Sequence, residues 1–167
     1  GHVSPREFVE LAGGIASFGL GYMGFSGLML ASAQFLRGVR EESYAAFGSE
    51  LFVSSIARQI YPESRALVNA HLRKGHTVAI ISSATPYQVE PAAKDLGIEH
   101  VICTRLAVKD GKFTGAVEEP ICFGEGKVLA AQSLVRQFGV DLDKSFFYTD
   151  SYDDIQLLQR VGNPRPL

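Results

Sequence analysis

The fold of this chain is decided by residues 145–154, which read Ser-Phe-Phe-Tyr-Thr-Asp-Ser-Tyr-Asp-Asp. The first five of these residues are mostly aromatic or β-branched, which predicts a β-strand, and the last five are polar and acidic. A helix is expected to begin directly afterwards, at Tyr152. In sheets built from alternating strands and helices, ligands bind beyond the carboxyl ends of the strands. We therefore expect the carboxylates of Asp150, Asp153 and Asp154 to lie at a functional edge of a sheet.

A second strand lies upstream, at residues 77–82, which read Thr-Val-Ala-Ile-Ile-Ser. Its apolar character is continuous, without alternation, which is typical of a parallel strand covered on both faces. Thr85 and Pro86 follow as a cap and a proline at the first helical position, and Gln88 completes a capping box. These residues predict a helix that ends near Gly97.

Strands and helices continue to alternate in the rest of the chain. Residues 100–103 predict another strand, and residues 125–139 predict a helix that leads into the strand at residues 145–149. Helices between parallel strands predict a doubly wound α/β fold for residues 61–167. This fold is a Rossmann-like core, in which helices cover both faces of a mostly parallel sheet to give three layers.

Two segments stand apart from this alternation. Residues 3–60 contain helical patterns and no β-rich run, so we assign them to an all-helical cap and residues 61–167 to the α/β core. Residues 105–118 predict a small β-hairpin, because strand-like runs flank the strong turn signal Asp110-Gly111.

Composition and charge exclude several classes of protein. The 167 residues carry a formal net charge of −2, which gives no electrostatic support for binding nucleic acid. Cys103 and Cys122 are the only cysteines, and their spacing predicts neither a disulfide framework nor a zinc site. Two isolated thiols are typical of the reducing cytoplasm, where we expect this protein to be located.

Residues 11–36 contain no charged side chain, and such a run is long enough to suggest a membrane-spanning helix. The run contains six glycines, which favour a pair of short, closely packed helices over one stable span. The segment before it holds Arg6 but also Glu7 and Glu10, which is unlike the basic start of a signal peptide. We therefore expect an apolar helical element of a soluble protein, and peripheral contact between residues 11–36 and lipid stays open as an alternative.

Polar residues of three kinds fall at the predicted functional edge. Ser82 and Ser83 follow the first predicted strand, and Lys127 lies at the start of the helix that precedes the strand at residues 145–149. A hydroxyl and an ammonium group bind phosphoryl oxygens, while carboxylates hold Mg²⁺ against the same group. Together with the carboxylates after residue 149, these residues predict a site for a phosphate ester and Mg²⁺.

These segments resemble, in order, three motifs of the haloacid-dehalogenase superfamily of phosphatases. The strand that ends at Ser82 is similar to the second motif, residues 124–127 (Gly-Glu-Gly-Lys) to the third, and residues 147–154 to the fourth. Residues 88–91 (Gln-Val-Glu-Pro) and the hairpin resemble the branch that includes the phosphoserine phosphatases. Some members of that branch are fused to, or act beside, glycerolipid acyltransferases. The resemblance covers essentially the whole chain, and residues 3–60 fall where that branch inserts its cap.

The resemblance implies a Mg²⁺-dependent phosphomonoesterase whose substrate is a small phosphate ester, such as phosphoserine or a lysophospholipid phosphate. Ser82 would bind the phosphoryl group, Lys127 would neutralise it, and Asp154 would support the metal site by hydrogen bonding. These three are the candidate catalytic residues. The candidate Mg²⁺ ligand is Asp150, and the candidate substrate-binding residues are Ser83 and Asp153.

Each of these residues also has a purely structural interpretation. Ser151, with Asp154 three residues later, is a capping-box pattern, and acidic residues stabilise any helix N-terminus. Taken alone, Lys127 would be a solvated lysine and Ser82 a hydroxyl at a strand end. The order of the three motifs favours the functional interpretation.

The family's nucleophile is the first aspartate of an Asp-x-Asp-x-Thr motif that ends the first core strand, and the 167 residues contain no such motif at a strand end. The second aspartate of the motif, the family's general acid/base, is absent with it. Asp141-Leu142-Asp143 has similar letters but precedes a strand, so we reject Asp141 as the nucleophile. We therefore expect these residues alone to show no phosphatase turnover. The alternative function is a catalytically dead phosphatase-like module that binds or regulates a partner, a glycerolipid acyltransferase being one candidate.

The first core strand of this family lies between the strand that ends at Ser82 and the strand that ends at Thr149. Without it, two strand edges are exposed, and each unsatisfied buried group costs about 1–3 kcal/mol. We expect the position to be filled by a separate N-terminal peptide, by a neighbouring molecule, or by closure of the two strands onto each other. A strand exchanged between two copies would make the chain a homodimer.

Overall fold

The computed structural model of this chain describes residues 24–167. The α-helices are α1 (Phe25–Phe35), α2 (Glu41–Leu51), α3 (Pro62–Arg73), α4 (Pro86–Leu96), α5 (Glu125–Phe138) and α6 (Ile155–Leu158). The strands are β1 (Ala79–Ser82), β2 (His100–Cys103), β3 (Leu106–Lys109), β4 (Lys112–Val117), β5 (Phe146–Thr149) and β6 (Asn163–Pro166). From α3 onwards helices alternate with short strands, so the predicted α/β class is confirmed.

Local sequence sets several element boundaries. Thr85 precedes α4, and its backbone N–H donates to Gln88 Oε1 at 3.0 Å, as the predicted capping box requires. Gly97 ends α4 with φ +71°, a conformation that glycine adopts without a steric penalty. The predicted hairpin consists of β3 and β4, and its turn has φ +51° at Asp110 and +70° at Gly111. These boundary predictions are confirmed.

The strands of the described residues pair into three two-stranded sheets. β1 and β2 are parallel, with Ile80 opposite Val101. β5 and β6 are also parallel, whereas β3 and β4 are antiparallel. The parallel pairs agree with the predicted Rossmann-like core, but the sheet is divided in two instead of being continuous.

β6 reads Asn-Pro-Arg-Pro and was not predicted, because proline has no N–H to donate to a strand ladder. β6 pairs only with β5 in the described chain. The N–H of Asn163 donates to Ser145 O at 3.0 Å, and that of Leu167 donates to Thr149 O at 2.9 Å. The two prolines fall between donating residues, so their missing N–H groups cost no ladder hydrogen bond.

β1 and β5 are held beside each other by the packing of one apolar cluster. No ladder hydrogen bond joins them within the described residues. Ile81 of β1 and Phe147 of β5 pack against Val128 and Ala131 of α5 and Leu157 of α6. Within residues 24–167 no ladder joins β1 to β5, and no strand is paired between them. Closure of the two strands onto each other, one of the three expected ways of filling the position, is therefore wrong for the described residues. The other two ways stay predictions.

The opposite face of β5 is covered by α3. The His71 ring lies edge-on to the rings of Phe146 and Tyr148, and its Nε2 is 3.1 Å from the Tyr148 hydroxyl. Phe147, between these two residues, points to the other face, as the alternation of a strand requires. Helices therefore cover β5 on both sides, which is the expected three-layer arrangement.

The described part of the predicted cap begins with α1. Residues 41–60, expected to be helical, form α2 and then continue as a π-helical turn, Phe52–Ile56, and a 3-10 turn, Ala57–Gln59. α1 packs against the hairpin, where Ala33, Leu106 and Phe113 form a second buried cluster. The assignment of a separate cap and core stays a prediction.

The charge-free run at residues 11–36 lies only partly within the described residues, where it forms α1. No helix in residues 24–167 is both long enough and apolar enough to span a bilayer. The other of the two expected short helices lies outside the described residues. The same is true of the contact between residues 11–23 and lipid.

Leu157→Ala should lower the free energy of unfolding by about 2–5 kcal/mol, because the substitution leaves a cavity in the cluster that joins β1 and β5. The Leu157 side chain is only 1% exposed. Leu129→Ala is the matched control, since Leu129 on α5 is 43% exposed, and its effect should stay within about 0.5 kcal/mol. Urea unfolding followed by circular dichroism measures both. Equal losses in the two variants would contradict the role assigned to the cluster.

Candidate active site

A buried ion pair lies just beyond the carboxyl end of β5. Lys127 Nζ is 2.6 Å from Asp154 Oδ1, and the two side chains are 10% and 3% exposed. Asp154 Oδ2 accepts a hydrogen bond from Thr149 Oγ1 at 2.6 Å. No donor within the described residues approaches Oδ1 in hydrogen-bond geometry, so its contact with the ammonium is a pure ion pair. Removing two charges from water is costly, and each therefore depends on the other for compensation.

Close packing at the start of α5 fixes the position of Lys127. A side chain at Gly126 would overlap the carbonyl oxygen of Ile121, so only glycine fits there. The Gly126 N–H donates to Phe123 O at 2.9 Å and the Lys127 N–H donates to Gly124 O at 3.1 Å. The Gly-Glu-Gly-Lys run thus allows the helix to begin tightly against the preceding loop, with its lysine turned to the end of β5.

A buried threonine ties the loop after β1 to the loop before α5. Thr104 is fully buried; its N–H donates to Ala84 O at 3.1 Å, and its Oγ1 accepts from the Cys122 N–H at 3.2 Å. In the first of these loops, Ser82 Oγ accepts from the Ala84 N–H at 3.2 Å. The strand end that carries Ser82 is therefore linked to the loop that leads to Lys127.

The Cys122 thiol is buried and donates to Ile102 O at 3.7 Å. Burial raises the pKa of Cys122 to about 11; the charge of Lys127 and the backbone of Ser82 oppose this shift, and Asp154 adds to it. Burial also raises the pKa of Cys103. Both thiols therefore stay protonated at neutral pH, and neither is suited to act as a nucleophile.

Asp150, the candidate metal ligand, is exposed directly after β5. Its carboxylate has no hydrogen-bond or ion-pair partner among residues 24–167, and the same residues contain no group of three metal-binding side chains. Mg²⁺ commonly takes one or two protein carboxylates and completes its shell with water and phosphate oxygens. The exposed carboxylate of Asp150 can supply one ligand of such a partial site.

The residues after Asp150 have a structural role as well. The Asp153 N–H donates to Ser151 Oγ at 3.3 Å, so Ser151 caps the short turn Tyr152–Asp154. The Asp153 side chain is exposed. The structural interpretation weighed for this segment therefore holds for Ser151, while the Asp154 carboxylate faces Lys127 instead of capping a helix.

Asp141 lies at the opposite end of β5. Its Oδ1 accepts from the Asp143 N–H at 3.0 Å, and its Oδ2 is 3.2 Å from Lys144 Nζ. The hydrogen bond with Lys144 holds the pKa of Asp141 below its usual value. A strand of four residues separates it from Asp150 by roughly 13 Å. Asp141 is thus a capping residue remote from the ion pair, which agrees with its rejection as the nucleophile.

The structure brings some of the predicted site residues together and leaves others apart. Lys127 and Asp154 are in direct contact, and the loop of Ser82 is tied to theirs, as described above. Among the described residues, no hydrogen bond or ion pair joins the side chain of Ser83 or Asp153 to the pair. The functional roles of all these residues stay predictions.

Two residues that organise the site were not found from the sequence. Thr149 orients Asp154, and a hydroxyl at the last strand position, five residues before a buried carboxylate, was a signal that could have been used. Thr104 joins two loops that are distant in sequence, so no local sequence pattern predicts its role.

Comparison with known proteins gives one consistent result. The sequence pattern of the family described as haloacid dehalogenase-like hydrolase matches residues 3–159. A probable phosphatase of Mycobacterium tuberculosis is 36% identical over 104 residues, which are 62% of this chain and 36% of that protein. A phosphoserine phosphatase of the same species is 35% identical over 129 residues, which are 77% of this chain and 43% of that protein. The chain therefore spans less than half the length of these two curated relatives.

A solved structure has a similar fold. The crystal structure of a protein of unknown function from Bordetella pertussis superposes with a TM-score of 0.84 at 25% sequence identity. The superposition covers 92% of this chain and 70% of that chain.

Lys127→Met should lower the free energy of unfolding by about 3–5 kcal/mol, because it leaves the Asp154 carboxylate buried without its counter-charge. The double variant Lys127→Met/Asp154→Asn should lose at least about 1 kcal/mol less than the sum of the two single variants. The matched control is Lys144→Met, which removes the exposed pair with Asp141 and should leave stability unchanged. Urea unfolding measures the cycle, and additive losses would show that the two charges are not coupled.

Proposed function

Because this chain belongs to the haloacid dehalogenase-like hydrolases, on their phosphoserine-phosphatase-like branch, we propose that it forms part of a Mg²⁺-dependent phosphomonoesterase. The single observation that carries the proposal is the buried ion pair of Lys127 and Asp154 at the carboxyl end of β5. A lysine held at that edge can bind the oxygens of a doubly charged phosphoryl group.

Each residue has a part in this proposal. Lys127 and the Ser82 hydroxyl hold the non-bridging phosphoryl oxygens, and Asp154 positions Lys127 through their ion pair. Asp150 holds Mg²⁺, which when bound would neutralise charge on the phosphoryl group. Ser83 and Asp153 lie at the entrance and contact the substrate.

The attacking carboxylate belongs, in our proposal, to a strand placed between β1 and β5. The two strands share one apolar cluster but no ladder, so each has an edge that can pair. An Asp-x-Asp-x-Thr segment seated there would bring its first aspartate to the same sheet edge as Lys127. The segment is supplied by a further part of the polypeptide, either of the same copy or of a second copy that exchanges this strand and so forms a homodimer.

The substrate class proposed is a small phosphate ester, with phosphoserine and a lysophospholipid phosphate as the two types considered. The charge-free run at residues 11–36 supports the lipid type and a peripheral contact with membranes. Two buried thiols without a disulfide support a cytoplasmic location.

A second candidate function rests on one observation, the lack of an Asp-x-Asp-x-Thr motif at a strand end in the 167 residues. Under this alternative, the chain is a phosphatase-like module that binds a phosphorylated ligand, or regulates a partner such as a glycerolipid acyltransferase, without turnover. The two functions share the phosphate site and differ in whether any form of the protein hydrolyses an ester.

Inorganic phosphate with Mg²⁺ should raise the melting temperature of the chain, because the anion binds Lys127 in the folded state only. In Lys127→Met the phosphate-dependent rise should be lost, whereas in Lys144→Met it should persist. Scanning calorimetry of each variant with and without phosphate measures the rise against the variant's own baseline. A rise that is unchanged in Lys127→Met would refute the proposed phosphate site.

The 167-residue chain should show no hydrolysis of p-nitrophenyl phosphate above background with Mg²⁺, because the attacking carboxylate is not among its residues. Absorbance of released nitrophenolate measures the rate. Robust turnover that disappears in Asp141→Asn would show that the rejected aspartate is the nucleophile after all. Turnover that appears once an Asp-x-Asp-x-Thr segment is joined to the chain distinguishes the enzyme from the binding module.

A further inference from the structure

A cavity of about 200 Å³ lies between α1 and the start of α4. α1 provides most of its wall, and the hairpin and α4 close the other side. The lining residues are Phe25, Leu28, Met29, Ser32, Ala33, Leu36, Tyr44, Thr85, Gln88 and Leu106.

The lining of this cavity contains no charged side chain among the described residues. The hydroxyls of Ser32 and Thr85 are already hydrogen-bonded, whereas the Tyr44 hydroxyl and the Gln88 side-chain N–H groups have no hydrogen-bond partner among the described residues. Ser32 Oγ donates to the Leu28 carbonyl of its own helix at 2.9 Å, and Thr85 Oγ1 donates to Gln88 Oε1 at 3.1 Å. A charged head group placed here would lose its hydration and gain no counter-charge.

The cavity borders the loops that lie around the buried ion pair. Thr85 lies three residues after Ser82, and Leu106 lies two residues after Thr104, which ties the Ser82 loop to the loop before Lys127. On the other side, the ring of Phe25 stacks on that of Phe123 at 4.4 Å, in the loop that leads into α5. The cavity therefore borders the loops that carry the polar site.

The arginines that follow α1 are placed elsewhere. Arg37 packs over Gly115, where an added side chain would meet its Nε at 2.9 Å. Arg40 pairs with Glu42 at 3.1 Å and forms a β-bridge with Lys112, next to the hairpin turn. Neither arginine lines the cavity, so neither is available to neutralise a carboxylate bound within it.

We propose that this cavity binds the alcohol part of the substrate, and that this part is an uncharged apolar group the size of a phenyl ring or a branched alkyl chain. The proposal rests on the proposed phosphomonoesterase function and narrows its substrate class. An apolar cavity of about 150 Å³ is already large enough to hold benzene. The cavity thus selects against phosphoserine, whose amino and carboxylate groups would both be buried without a counter-charge from the described lining.

The test compares three non-hydrolysable phosphonates in the presence of Mg²⁺: phenylphosphonate, methylphosphonate and the phosphonate analogue of phosphoserine. Met29 lines the cavity and is one of only two methionines, so its ¹³C-labelled methyl group, assigned with Met29→Leu, reports binding by NMR. Phenylphosphonate should shift this signal saturably and bind about tenfold or more tightly than methylphosphonate, since burying a ring contributes at least that factor. The phosphoserine analogue should bind no more tightly than methylphosphonate.

Two variants locate the effect. Leu28→Asp places a carboxylate in the cavity and should abolish the preference for the phenyl group while methylphosphonate still binds. Leu30→Asp makes the same change on the same helix at a residue that is 47% exposed and does not line the cavity, and it should keep the preference. The comparison of ligands on the unmodified chain stands even if Leu28→Asp fails to fold.

The outcomes separate the two levels of the proposal. If none of the phosphonates binds, the proposed function itself fails. If methylphosphonate binds in a Lys127-dependent manner but the phenyl group adds no affinity, or the phosphoserine analogue binds most tightly, the phosphate site stands and the apolar cavity is overturned. A phenyl preference that persists in Leu28→Asp also overturns it, because the ring would then bind elsewhere.

Discussion

The buried ion pair between Lys127 and Asp154 is the constraint on which the rest of the site depends. Two charges that are almost entirely removed from water are stable only when their geometry is fixed. Thr149 fixes the carboxylate by donating to its second oxygen, and Gly126 lets α5 begin close enough for the ammonium to reach it. The end of β5 and the start of α5 are thus held together by electrostatics and by close packing at the same point.

The same helix holds the core together. Lys127 faces the polar edge, while the next residue, Val128, packs with Ala131 and Leu157 against both β1 and β5. These two strands share no ladder within the described residues. Side-chain packing in this cluster, instead of strand pairing, therefore holds them together. An arrangement of this kind keeps two strand edges available for pairing, and it places them beside the lysine that a phosphoryl group would need.

The first described helix before the core, α1, contributes an apolar surface and contains no charged residue. It packs on the hairpin and lines a cavity that has no charged side chain among the described residues. The charged edge and the uncharged cavity therefore border the same two loops, which Thr104 joins. This division of polarity suits a ligand with a phosphate at one end and an apolar body at the other.

The sequence by itself determined the α/β class, the capped helix after Thr85, the hairpin turn at Asp110-Gly111 and the family of the chain, because each depends on residues that are close in sequence. It also singled out Lys127 and Asp154 as site candidates, although not the contact between them. Only the tertiary structure decided that β6 pairs with β5 despite its prolines, that β1 and β5 stay apart, and that Thr104 joins two distant loops. Those features depend on which strand edges and buried groups come into contact in the folded chain. Packing between elements sets these contacts, and no local sequence pattern predicts them.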